Sequence, residues 1–225
     1  MKSDPTSLRT RYGYIEGWLS IILNTLLFAL KYWAGLASGS VAIIADAWHT
    51  LSDSLTSIVV LVGIRISADP ADDRHPYGHG RAELIGSIII GVLLAVVAFN
   101  FVADSVEKLI DRESARYGTL AIAATAASVV LKEILAQVAL RMGKKTNAQS
   151  LIADGWHHRS DAISSLVILA GIFAGRYLWW IDAAMGIAVS LVILYAAWGI
   201  LKRAASSLIG EEADPDLAGT INAIA

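Results

Sequence analysis

The chain has 225 residues, of which 56% are hydrophobic and 17% are charged, and its mean hydropathy is +0.57. Soluble domains average about 45–50% apolar and about 25% charged residues, so this composition excludes a disordered chain, a collagen-like chain and an ordinary soluble enzyme. Eighteen basic residues against twenty acidic ones point to no nucleic-acid partner, and the lack of cysteine excludes disulfides and thiolate metal sites. The sequence therefore predicts a protein embedded in a lipid bilayer.

Six segments reach the roughly 20 mostly apolar residues that a helix needs to cross about 30 Å of hydrocarbon. In chain order they are residues 14–36, 41–66, 84–109, 120–140, 148–174 and 181–201. We therefore predict an all-α membrane protein with six transmembrane helices. Eleven lysines and arginines fall on the side of the N-terminus and four in the opposite loops, a bias that predicts cytoplasmic termini. The predicted location is the cell membrane, which would be the inner membrane in a bacterium.

The second and fifth predicted helices repeat one pattern. Residues 44–53 and 152–161 are identical at seven of ten positions, at an offset of 108. Each copy carries a His and an Asp four residues apart, which places both side chains on one face of a helix. The offset covers three helices, so the two copies are expected to cross the membrane in opposite directions. This is an inverted 3+3 repeat, an architecture that places transport sites near the bilayer midplane.

The repeated residues, His49, Asp53, His157 and Asp161, are candidate metal ligands. The helical rise places both histidines roughly 13–15 Å from a membrane surface, near the bilayer centre, where a charge is costly. Two His and two Asp match the four ligands of a tetrahedral Zn²⁺ and sum with it to zero formal charge. Without the ion the carboxylates are expected to hold protons, so binding would release protons and predicts metal–proton exchange. The alternative is a structural role in which these side chains lock the helices together.

Other polar residues in the predicted spans leave more alternatives open. Asp46 and Asp154 lie three residues before the two histidines. Four roles are open for them: they are ligands, residues that support the ligands, residues along the path into the site, or helix-packing acids. Arg159 is predicted to pair with Glu133 at a comparable depth. For Lys132, local pairing and snorkelling to the membrane surface are both open.

These features together resemble the cation diffusion facilitator family of divalent-metal/proton antiporters. The resemblance rests on the six spans, the two His-x-x-x-Asp helices and the His-Pro-Tyr-Gly-His-Gly motif at 75–80, and it covers essentially the whole chain. It implies a central transport site at His49, Asp53, His157 and Asp161. It further implies a secondary transporter, not an enzyme, that exports Zn²⁺ with protons as counter-ion and works as a homodimer in alternating inward- and outward-facing states.

The resemblance implies two further features. One is a second metal site in the loop after the second span, formed by Asp72, His75 and His79, for which the alternative is a solvated turn. The other is a cytoplasmic C-terminal domain. We expect residues 1–209 to form the transport domain and residues 210–225 to begin a C-terminal domain that is truncated.

Three points of function stay open at the level of sequence. The His and Asp ligand set also suits Co²⁺, Ni²⁺ or Fe²⁺. An intramembrane metalloenzyme is a rival hypothesis, but it needs an open coordination position, which four protein ligands do not leave. A metal-binding protein that transports nothing is a second rival, and relatives of that kind usually lose a ligand that this chain keeps.

Overall fold

The computed structural model describes residues 5–67, 70, 72, 74, 76, 78, 79 and 81–210. Within these residues the chain forms six α-helices and no strand, as predicted. In order they are α1 (Pro5–Ser38), α2 (Val41–Ser67), α3 (Ala82–Asp111), α4 (Thr119–Thr146), α5 (Gln149–Ala174) and α6 (Ile181–Ile209). Five of the six run longer than the predicted spans, because a helix continues beyond the point at which its apolar segment ends. The expected start of a C-terminal domain lies, apart from Gly210, outside the described residues.

Four of the helices contain segments that are long and apolar enough to cross a membrane, namely α1, α3, α4 and α6. The helices α2 and α5 carry the repeated His and Asp residues and fall outside that group. At 27 and 26 residues they are still about 40 Å long, which is sufficient to span the hydrocarbon. Large apolar side chains such as Ile89, Phe99 and Trp198 are exposed, as expected for contact with lipid. The chain is a multi-pass membrane protein, and membrane crossing by α2 and α5 stays a prediction.

Helix α2 lies at the centre of the bundle. Ile43 belongs to a buried cluster with residues of α4 and α5, whereas Ala45 belongs to a second buried cluster with residues of α3 and α6. The most extensive contacts in the bundle are between three pairs of helices: α1 packs along α2, α4 along α5, and α3 along α6. The polar residues of α2 are thus surrounded by elements from both halves of the chain.

A close contact between a glycine and an isoleucine occurs once in each half of the chain. A Cβ atom added to Gly35 would lie 3.0 Å from the backbone nitrogen of Ile44, and one added to Gly143 would lie 2.9 Å from that of Ile152. Both the glycines and the isoleucines are related by the offset of 108 that relates the His and Asp residues. The absence of a side chain at these glycines lets α1 approach α2, and α4 approach α5, almost to backbone contact.

The turns that follow these contacts obey the same offset. Gly39 and Asn147 both have a left-handed backbone, with φ of 61° and 51°. The next residues, Ser40 and Ala148, each donate their backbone N–H to the carbonyl of the close-packed glycine, at 3.0 Å in both cases. The repeat therefore extends from the metal-ligand pattern to the preceding helix end and turn.

Asp182, fully buried at the start of α6, fastens the end of the bundle at which α2 begins. Its carboxylate accepts hydrogen bonds from the Ser40 hydroxyl at 2.5 Å, the Val41 backbone N–H at 3.0 Å and the Tyr117 hydroxyl at 2.9 Å. The ammonium of Lys108 lies 3.5 Å away. Burial, and then the neighbouring carboxylate, raise the pKa of Tyr117 above its ordinary value. The hydroxyl therefore stays protonated and donates a hydrogen bond to Asp182.

The close contacts at the helix glycines predict a difference between two otherwise similar substitutions. Gly143→Ala forces a Cβ against the backbone of α5 and should lower the free energy of unfolding by about 1–3 kcal/mol. Gly17→Ala in α1 meets no atom within 4 Å and should be neutral, or stabilising by up to about 1 kcal/mol through helix propensity. Thermal unfolding of the two purified variants measures the difference. Equal midpoints would contradict the packing described here.

Candidate metal centre

The repeated His and Asp residues meet where α2 and α5 come close together. Ligand atoms of His49, Asp53 and Asp161 all lie within 4.8 Å of one another. His49 and Asp53 share a face of α2 because they are four residues apart, and Asp161 reaches the same point from α5. The two helices otherwise contact each other only over a short stretch. The structure therefore brings three of the four predicted ligands into one cluster.

The fourth predicted ligand, His157, stands at the edge of this cluster. Its Nε2 atom lies 3.5 Å from Oδ1 of Asp53 and 3.7 Å from Oδ2 of Asp161, and half of the side chain is exposed. On the opposite side, Nε2 of His49 lies 3.6 Å from Oδ1 of Asp161. These separations exceed ordinary hydrogen-bond lengths. They are close to the edge of about 3.4 Å expected between ligands of a tetrahedral ion bound at about 2.0–2.1 Å.

Lys132 of α4, whose contact with the candidate ligands was not predicted from the sequence, lies within hydrogen-bond distance of two of them. Its ammonium donates to Oδ2 of Asp161 at 2.7 Å and to Oδ2 of Asp53 at 3.1 Å. The side chain is 1% exposed, so the ammonium does not snorkel to a membrane surface. The two carboxylates thus have a cationic partner supplied by the protein. One net negative charge remains when both carboxylates and the lysine are ionised and the histidines are neutral.

A signal for Lys132 was present in the sequence. It lies near the middle of a helix of 28 residues, about 20 Å from either end, which is too far for its side chain to reach water. A cation at that depth needs an anionic partner at the same depth, and the repeated Asp residues were the evident ones.

Asp46 and Asp154 do not join the cluster of ligand atoms. Asp46 is buried and bound to the equally buried Lys31 of α1 at 2.7 Å, and the same ammonium donates to Thr50. This pair fastens α1 to α2. Asp154 instead borders the cavity that leads to the cluster. The contact of Asp46 with Lys31 is the kind expected of a helix-packing acid.

A cavity of about 820 Å³ reaches His49, Asp53 and His157 from one side of the bundle. That side is where α1 and α5 begin and where α6 ends. The wall contains the buried pair Glu16 and His158, in which Oε1 of the glutamate lies 3.2 Å from Nε2 of the histidine. His158 therefore points away from the cluster, because adjacent residues of a helix face different directions. The Asp182 contacts lie at the opposite end of the bundle.

The predicted pair between Arg159 and Glu133 is present at 2.9 Å, and both side chains are partly exposed. In the loop after α2, Nε2 of His79 lies 3.7 Å from Oδ2 of Asp72. The third residue of the predicted loop site, His75, lies outside the described residues. A metal site in this loop therefore stays a prediction.

Comparison with known proteins identifies the family of the chain. Residues 17–209 match the family of the cation efflux transmembrane domain. An uncharacterized transporter of Methanocaldococcus jannaschii is 39% identical over 183 residues, which is 81% of this chain and 65% of the relative. Manganese efflux system protein MneP of Bacillus subtilis is 31% identical over 88% of this chain and 69% of the relative. Magnetosome protein MamB of Magnetospirillum gryphiswaldense is 31% identical over 90% of this chain and 69% of the relative.

The chain thus spans about two thirds of the length of these curated relatives. The family match covers all of α2 to α6 and most of α1, and it includes both helices that supply the predicted ligands. The chain therefore belongs to the cation efflux family.

Proposed function

We propose that this protein is a secondary transporter that exports Zn²⁺, or a similar divalent cation, from the cytoplasm in exchange for protons. The observation that carries the proposal is the convergence of His49, Asp53 and Asp161, with ligand atoms within 4.8 Å of one another, in the interior of a multi-pass membrane protein. His157 completes a four-ligand N/O set of the kind that binds zinc. Membership of the cation efflux family supports movement of a metal cation across the membrane.

Alternating access gives the site its direction in this proposal. The cavity opens on the side where α1 begins, which the distribution of basic residues predicts to be the cytoplasm. The contacts of Asp182 close the other end. The glycine contacts and turns shared by the two halves support an exchange of conformations between α1–α2 and α4–α5. We infer that the structure corresponds to the inward-facing state.

The proposed proton exchange follows from the chemistry of the ligands. Imidazole and carboxylate groups coordinate a metal only in their deprotonated forms, so protons and the ion compete for the same atoms. Lys132 reduces the number of protons needed to neutralise the vacated site, because it already offsets one carboxylate charge. A proton uptake of about one per returning carrier is therefore sufficient for electroneutrality within the cluster.

Manganese is the second candidate ion. Two relatives, MneP and MneS of Bacillus subtilis, are named as manganese efflux system proteins and are 31% and 34% identical to this chain. Two histidines among four ligands favour zinc over manganese, since imidazole suits zinc and harder oxygen ligands suit manganese. Competition between Zn²⁺ and Mn²⁺ on the purified protein decides between them.

Two predictions of the resemblance extend beyond the transport site and are kept as proposals. One is the homodimer and the other is the loop site at Asp72, His75 and His79. Light scattering of the detergent-solubilised protein determines the oligomeric state. The stoichiometry of bound Zn²⁺ in a His75→Ala, His79→Ala double variant separates a loop site from the central site.

The central site predicts a selective loss of metal affinity. Asp161→Asn removes an ionised ligand and should weaken Zn²⁺ binding by about 100-fold or more, since even partners of ligands contribute about 10- to 100-fold. Asp104→Asn, a matched substitution at an exposed position of α3, should leave the affinity unchanged. Competition with a chromophoric chelator measures both. Equal affinities in the two variants would refute the proposed site.

Coupling to protons predicts flux driven by a pH gradient. Proteoliposomes with an acidic lumen should accumulate Zn²⁺ against its concentration gradient through protein exposing its cytoplasmic face to the outside, because protons leave as zinc enters. Asp53→Ala and Asp161→Ala should each abolish this flux. Zinc uptake that ignores the pH gradient would exclude antiport, and uptake that survives both substitutions would exclude the site.

The absence of cysteine allows a clean accessibility measurement. A single cysteine at Thr56, which lines the cavity, should react with a membrane-impermeant maleimide applied from the cytoplasmic side. A cysteine at Ser105, fully buried in α3, is the control and should stay unreactive. Labelling of the Thr56→Cys variant only from the opposite side would overturn the predicted orientation.

A further inference from the structure

Lys132 is tied to both carboxylates of the proposed transport site, although nothing in the ligand pattern required a lysine. It connects Asp53 of α2 with Asp161 of α5 from a third helix, α4, at 3.1 and 2.7 Å. Both distances are shorter than those from His157 to the same two carboxylates, which are 3.5 and 3.7 Å. The inference below rests on the proposed function and concerns the control of ion affinity at the same site.

The lysine contacts one oxygen of each carboxylate, and the other oxygen of each lies near a histidine. Its ammonium contacts Oδ2 of Asp53 and Oδ2 of Asp161. Oδ1 of Asp53 is the oxygen nearer to His157, and Oδ1 of Asp161 the one nearer to His49. Oδ2 of Asp161 also lies 3.7 Å from Nε2 of His157, so a metal ion bound beside the histidines would share the two carboxylates with the ammonium.

We propose that Lys132 is the built-in counter-cation of the transport site. Its ammonium compensates the two carboxylates when the site is empty and weakens their hold on a divalent ion when the site is loaded. The physical cause is charge: two cations that share a pair of carboxylates repel each other, most strongly where little water screens them. Lys132 thereby lowers the affinity of the site for the divalent ion to a level that allows release as well as binding.

The two halves of the repeat differ at this position. The residue that precedes Lys132 by the offset of 108 is Asn24, a neutral and fully buried amide of α1. Serines lie at the positions one helical turn before both residues, so the polar faces of α1 and α4 correspond. The compensating charge thus comes from one half alone, and a substitution at Lys132 removes it without a substitute from the equivalent position.

This role predicts opposite effects on affinity and turnover. Without the ammonium, the ion should bind more tightly and leave more slowly. The empty carrier, with two uncompensated carboxylates, should return more slowly. Lys132→Met is therefore expected to lower both KM and kcat for Zn²⁺ flux in proteoliposomes. A residue that only held the ligands in place would raise KM when removed, so the sign of the change separates the two roles.

The decisive experiment compares equilibrium Zn²⁺ affinity in four proteins at one pH, by competition with a chromophoric chelator. Lys132→Met should bind Zn²⁺ at least tenfold more tightly than the unmodified chain. Lys132→Arg retains the positive charge. Its Zn²⁺ affinity should therefore stay within about threefold of that of the unmodified chain, because the proposed effect depends on the charge and not on the shape of the side chain. Lys31→Met is the matched control: this lysine is equally buried and paired with Asp46, outside the ligand cluster, so its loss should leave the affinity unchanged.

Each result has a distinct meaning. Unchanged or weaker binding in Lys132→Met overturns the inference while leaving the proposed function standing, and so does equal tightening in Lys31→Met. An unmodified chain that binds no Zn²⁺ and no Mn²⁺ overturns the proposed function itself. If Lys132→Met folds poorly without metal, purification in Zn²⁺ should recover it, because the ion takes over the compensation of the carboxylates. Failure of that recovery, with Lys31→Met folded, also overturns the inference.

Discussion

A carboxylate that leaves water for the interior of a membrane protein needs a cation beside it, because the uncompensated ion costs several kcal/mol. In this chain the requirement adds ionic links between helices of the bundle. Lys132 joins α4 to Asp53 of α2 and Asp161 of α5, and Lys31 joins α1 to Asp46 of α2. The two lysines thus connect four helices, and Lys132 does so at two of the candidate ligands themselves. Scaffold and site depend on the same charges.

The two halves of the internal repeat have similar backbones but different polar side chains. The close contacts at Gly35 and Gly143 and the left-handed turns that follow are shared by both halves. Thr50 and His158 occupy equivalent positions, yet the first contacts a lysine and the second a glutamate at the wall of the cavity. In the proposed transport cycle, a symmetric framework would allow two related conformations, and the unequal polar residues would give the empty and loaded states different energies.

Much of this architecture was predictable from local patterns. Apolar segment length predicted six helices, and the spacing of His49 and Asp53 predicted a shared face, since both depend only on the geometry of one helix. The partner of Asp46 was not predictable, because the rotation of α1 about α2 depends on packing between the helices. For Lys132 the depth could be counted from the sequence, but its direction depends on how α4 meets two other helices. The contacts between helices were therefore harder to predict from the sequence than the helices themselves.

In the proposed transport cycle, Asp182 has a consequence for how the end of the bundle at which α2 begins would open. One buried carboxylate joins the α1–α2 turn, the end of α3, the segment before α4 and the start of α6. Loss of one partner would leave the other contacts of the carboxylate in place. Movement of the carboxylate itself would break all of these contacts together. Opening at this end is therefore expected to be cooperative, with few half-open forms. A carrier that handles ions one at a time gains from such all-or-none behaviour, because partly open forms are the ones through which protons would leak.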